Sequence, residues 1–67
     1  MNKLLKGRIV EKFGTQFEFS RTIGEHEAVV SKVIRGHIIL DPYKKKRWAA
    51  ALNIDDYDGL FEGQGVR

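Results

Sequence analysis

The side chains able to do chemistry gather in two places along the chain, the cluster Glu25-His26-Glu27 with His37 after it, and the basic run Lys44-Lys45-Lys46-Arg47. Histidines beside carboxylates are a donor set for a divalent metal. Two histidines that share one ion from a helix stand at i and i+4, whereas a whole predicted helix separates His26 from His37 and no cysteine joins them. No metal site is expected. The chain also lacks a nucleophile–base–acid set, a glycine-rich phosphate loop and a paired-carboxylate pocket, and 67 residues surround a substrate poorly, so neither catalysis nor a cofactor is expected. What remains is charge. Residues 1–47 carry eleven Lys or Arg against five acids, while residues 48–67 carry Arg67 against Asp55, Asp56, Asp58 and Glu62. A basic body with an acidic tail attracts polyanions, and counterion release would give it a salt-sensitive affinity for nucleic acid. The plainer reading of 31% charged residues is a soluble surface.

The elements that position these groups are marked by their ends. Leu5, Ile9 and Phe13 repeat every four residues and predict a helix over 4–13, weakened by Gly7 and stopped by Gly14. Thr15 and Glu18 form a Thr-x-x-Glu capping box that opens a second helix over 16–23, with Phe19 and Ile23 on one face. Gly24 closes it, as expected of a position that favours a left-handed backbone. Val30, Val33 and Ile34 recur at helical spacing in a third helix over 27–35, which Gly36 ends. His37-Ile38-Ile39-Leu40-Asp41 has strand-like composition but no second strand to pair with, and is read as a loop with Leu40 folded under the domain. Asp41-Pro42 restarts a helix, Asp as N-cap and Pro in the first turn, running to Leu52 with Trp48, Ala49 and Leu52 inward and Asn53 in the left-handed closing position. Residues 55–61 can form one last turn, and 62–67 are expected to fray. The predicted core is Leu5, Ile9, Phe13, Phe19, Ile23, Val30, Val33, Leu40, Trp48, Leu52 and Ile54. Such a pattern predicts an all-α fold of four to five helices.

The run from Thr15 to Gly36 resembles the helix-turn-helix of the Cro and phage-repressor (Xre-like) family. Gln16 opens the first of its helices, small Ser20 stands in the middle, Gly24 marks the turn, and Val30-Ser31, Val33-Ile34 and Gly36 supply the closing pattern. Ala51-Leu52-Asn53-Ile54 resembles the family's Ala-Leu-Gly-apolar ending, with Asn53 in place of glycine. The resemblance covers residues 1–54 as one domain and leaves 55–67 as a short acidic tail. It implies a compact bundle of the lambda-repressor-like DNA-binding type, acting on double-stranded DNA as a small transcriptional regulator, a repressor or Cro-like protein. Two family positions differ in residue type: serine replaces alanine at Ser20, and the residue after the cap of the second motif helix is the acid Glu27.

Carried over residue by residue, the resemblance implies base reading by Glu27, Ala28 and Lys32, with His26 and Val29 close by. Ala28 or Val29 would meet a thymine methyl, Lys32 guanine O6 or N7, and Glu27 cytosine N4. Glu27 reads equally as an acid stabilising the helix N-terminus, and Lys32 as part of a solvated face. Gln16, with Thr15 before it, occupies the family position that meets a phosphate, or is an ordinary first-turn residue. Arg8, Arg35, His37, Lys44 and Lys45 are further backbone candidates, although four consecutive basic residues on a helix cannot all point one way.

Family members act as twofold dimers, and a chain this small often gains stability by associating. Ile38, Ile39, Leu60, Phe61 and Val66 exceed the needs of the predicted core and are candidates either for a homodimer contact or for packing within the chain. The absence of cysteine fits a reducing cytoplasm, and no apolar run or leader predicts membrane insertion or export. The competing expectation is an antitoxin or protein-interaction module that uses the same bundle, its acidic tail docking a basic partner.

Overall fold

Asn2 starts the first helix by accepting the Leu5 amide on its Oδ1 at 3.0 Å, so α1 spans Lys3–Phe13, one residue earlier than its apolar spacing indicates. The computed structural model describes residues 1–61, and four further helices follow among them: α2 (Gln16–Ile23), α3 (Glu27–Arg35), α4 (Pro42–Ala51) and the single turn α5 (Tyr57–Leu60). No strand occurs among the described residues, and the fold is all-α. None of the described helices is long and apolar enough to cross a membrane.

The local signals act largely as their chemistry requires. Thr15 Oγ1 accepts the Glu18 amide at 3.1 Å, which starts α2. The reciprocal arm of the capping box does not form, because the Glu18 carboxylate turns toward Arg21, 4.0 Å away. Asp41 accepts the Lys44 amide at 2.8 Å, with Pro42 in the first turn of α4 where a missing N–H is no loss. Gly24 adopts φ 76° at the end of α2, and Asn53, at φ 59°, takes the left-handed position after α4.

Each helix gives its inner face to one core. Leu5 and Ile9 come from α1, Phe19 and Ile23 from α2, Val30, Val33 and Ile34 from α3, and Trp48 and Ala49 from α4, with Leu40 and Leu52 closing the ends. Aromatic rings run through it. Phe13 meets Phe19 edge-on at 5.2 Å between centroids, Phe19 meets Trp48 at 5.4 Å, and Trp48 meets Phe61 at 6.2 Å. Phe13 and Ile54, both expected in the core, are only half-buried at its rim, Phe13 as the last residue of α1 and Ile54 in the connection between α4 and α5. Ser20 is the buried polar residue among those described, and its hydroxyl donates to the Phe17 carbonyl at 2.7 Å, so its burial leaves no donor unpaired.

Leu60 and Phe61, candidates for a dimer contact, are core residues with 2% exposure each. The reason is the turn at α5. Asp56 accepts the Gly59 amide at 3.0 Å and closes that turn, which swings Phe61 onto Trp48. Asn2 fastens the same end through its Nδ2, which donates to the Leu60 carbonyl at 3.0 Å, and through its backbone N–H, which donates to the Ile34 carbonyl at 2.6 Å. Residues 55–61 therefore belong to the bundle rather than hanging from it. Of the other dimer candidates, Ile39 is 57% exposed and Ile38 half-buried, while Val66 and the expected fraying of 62–67 lie outside the described residues.

Candidate nucleic-acid interface

Helix α3 has two faces set by residue type. Val30, Val33 and Ile34 are buried, and Glu27, Ala28, Lys32 and Arg35 are exposed, with Ser31 half-buried between them. With Ser31 included, the exposed residues follow the i, i+1, i+4, i+5, i+8 order of one helical stripe. No described part of the chain covers that stripe. Neither Lys32 nor Arg35 has an ion-pair partner among the described residues. Glu27 lies in the first turn, where a carboxylate is favoured by the helix dipole, and Lys32 and Arg35 lie in the last, where cations are favoured.

His26 is the N-cap residue of α3, exposed and making no side-chain capping bond, so its imidazole is free to turn outward. Val29 is different. It packs against the core, half-buried, at the edge of the reading stripe that the resemblance implies. His37 is exposed just past the helix, its backbone N–H bound to the Lys32 carbonyl at 2.8 Å in the closing turn.

At the start of α2, Thr15 is exposed and Gln16 half-buried. Thr15 Oγ1 takes the Glu18 amide and the Thr15 carbonyl takes the Phe19 amide, so the amides of Gln16 and Phe17 have no partner among the described residues. Unpaired donors at a helix N-terminus are suited to an anion. Phe17 is also exposed there, with the Arg21 guanidinium 5.8 Å over its ring.

The basic run of α4 divides. Lys44 Nζ pairs with Glu25 Oε2 at 3.1 Å, and Arg47 donates to the Ile23 carbonyl at 3.2 Å, so both brace the end of α2 and the turn to α3. Lys44, a backbone candidate, is therefore paired with a carboxylate that is only 16% exposed. Lys45 and Lys46 keep no described partner. Arg8 is likewise engaged, with Glu11 at 3.3 Å. Three of the five acids in residues 1–47, Glu11, Glu18 and Glu25, each lie beside one cation, Arg8, Arg21 and Lys44, which leaves the net charge of this segment unchanged. Sequence reasoning missed the bracing roles of Arg47 and Glu25, and the half-hidden acid of the Glu25-His26-Glu27 cluster carried no local signal of its partner.

No protein-family model, no curated protein sequence and no solved structure matches this chain, so the family reading rests on the residues quoted above.

Proposed function

We propose that the chain is a small sequence-specific regulator of the Cro and phage-repressor kind, which binds double-stranded DNA by laying α3 in the major groove. The observation that carries this reading is the uncovered stripe Glu27, Ala28, Ser31, Lys32 and Arg35, whose two cations, like the amides of Gln16 and Phe17 at the start of α2, have no partner among the described residues. A helix fits the major groove, and lysine or arginine to guanine is the commonest specific contact there. Under this reading Ala28, Lys32 and Glu27 read base edges, His26 stands beside them, and Gln16, Thr15, Arg35, His37 and Lys45 hold the sugar-phosphate backbone. Mechanism is occupancy: the bound protein excludes other proteins from its site, with no bond made or broken. A reducing cytoplasm suits a cysteine-free protein of this kind.

The exposed acids Asp55 and Asp58 favour a second reading, in which the bundle docks a basic protein, as an antitoxin does. Enrichment of random duplexes on the immobilised protein separates the two. A recovered consensus containing G·C pairs, with binding lost in the Gln16→Ala, Lys32→Ala double variant, supports the regulator. No enrichment and no duplex binding at low salt would exclude it and leave the protein-docking reading.

A further inference from the structure

Gly7 occupies the middle of α1 without an intramolecular reason. Its φ lies outside the left-handed region, so the backbone does not require glycine, and a Cβ built there meets nothing within 4 Å. Glycine nevertheless weakens a helix interior relative to alanine. Around it lies an exposed face. Leu4 and Val10 stand three residues to either side, 50% and 46% exposed, and Lys3 and Glu11 stand four residues to either side, both exposed. Positions at i±3 and i±4 share one side of a helix. An open depression of about 260 Å³ lies over Gly7, lined by Lys3, Leu4, Gly7, Arg8 and Glu11.

This face reads the same in either direction, with its charges inverted. A second α1 laid antiparallel across the first, with the twofold axis at Gly7, sets Lys3 against Glu11 of the second copy and Leu4 against Val10 of the second copy. The two glycines meet at the crossing, where the lack of side chains allows the backbones to close. Lys3 begins α1 and Glu11 lies in its last turn, so each sits at the end of its own helix dipole that disfavours its charge. The antiparallel neighbour brings the opposite helix end and the opposite charge to both. Arg8, paired with Glu11 at 3.3 Å, holds that carboxylate at the edge of the face.

We propose that α1 is the surface through which two copies of this chain associate, antiparallel and crossing at Gly7. The proposal does not depend on DNA binding. It replaces Leu60 and Phe61, which are buried, with a surface on which Lys3 and Glu11 complement each other across the twofold and the basic Lys6 and Arg8 stand at the flanks. One helix pair falls at the low end of interface sizes, so the dimer is weak, with a dissociation constant in the micromolar to millimolar range.

Sedimentation of the full chain over a concentration series tests it. The expected result is a reversible monomer–dimer equilibrium that Gly7→Leu weakens at least about tenfold while the melting temperature holds or rises, since leucine favours helix and the space is open. Lys3→Glu and Glu11→Lys should each weaken self-association, yet Lys3→Glu should leave folding stability unchanged or higher, because an acid suits the helix start. Mixing the two single variants should restore dimerisation as a heterodimer, and the double variant should restore the homodimer. A chain that stays monomeric at millimolar concentration would overturn the proposal. So would a dimer indifferent to these changes, one dissolved by Ile39→Ser instead, or a mixture no tighter than its parts.

Discussion

At the scale of single residues, the structure assigns tasks that residue type alone leaves open. Asn2 carries no charge and caps α1, and two further bonds, from its backbone N–H to Ile34 and from its Nδ2 to Leu60, tie the chain start to α3 and to α5. Asn2→Ala is expected to lower unfolding free energy by about 1–3 kcal/mol in urea titration, from a lost cap and an orphaned carbonyl. A similar sorting separates the lysines. Lys32 is exposed without a described partner, whereas Lys44 is held by Glu25. If Lys32 contacts guanine, Lys32→Ala should weaken binding to the selected duplex by about 1–3 kcal/mol, while Lys44→Ala should leave that affinity within about twofold and cost stability of under about 1 kcal/mol. Equal losses in both variants, measured by anisotropy titration, would contradict the assigned division. Glu25 and Lys44 lie far apart in sequence, and only the approach of α4 to the end of α2 makes them neighbours.

At the scale of elements, the boundaries were legible because their causes are local. A Thr, Asn or Asp that captures an amide three residues on, a proline in a first turn and a residue able to adopt positive φ at a close all act within one turn of chain. Gly24 illustrates it. Its surroundings leave open space for a Cβ, but φ 76° strains any L-residue, so Gly24→Ala is expected to cost about 1–2 kcal/mol by chemical denaturation with no steric contribution. A loss much above that would mean that the turn between α2 and α3 also packs against something. The faces of α3 were legible for the same reason, since Val30, Val33 and Ile34 define the inward side by spacing. Val29 was not. It flanks the stripe edge, and whether an edge residue turns in or out depends on how deeply the helix sits against its neighbours.

At the scale of the whole molecule, two features matter, a core that needs Phe61 and a basic charge excess over residues 1–47. Phe61 lies against Trp48 and is 2% exposed, so Phe61→Ala should cost about 3–5 kcal/mol, which approaches the entire stability of a chain this small. Cooperative thermal unfolding should be lost or shifted far downward. A variant that melts like the parent protein would mean that Phe61 is not part of the core. On the electrostatic side, Lys32, Arg35, Lys45 and Lys46 have no ion-pair partner among the described residues. If about four phosphates are neutralised in the complex, the logarithm of the binding constant should fall with the logarithm of salt with slope about −4. A slope near zero is inconsistent with a backbone-held complex.

The amino-acid sequence by itself determined, to within a residue, where the first four helices begin and end, that the described fold is all-α, and which stripe of each long helix turns inward. These follow from caps, left-handed stops and periodicity, all of which act across one or two turns. Tertiary structure alone decided the fate of the surplus apolar residues, because Leu60 and Ile39 are equally apolar in sequence and only the closure at Asp56 sends one into the core while the other stays in solvent. It also decided which cations are free, since Lys44 and Arg47 are spent on Glu25 and the Ile23 carbonyl across a contact between helices that no short stretch of sequence encodes.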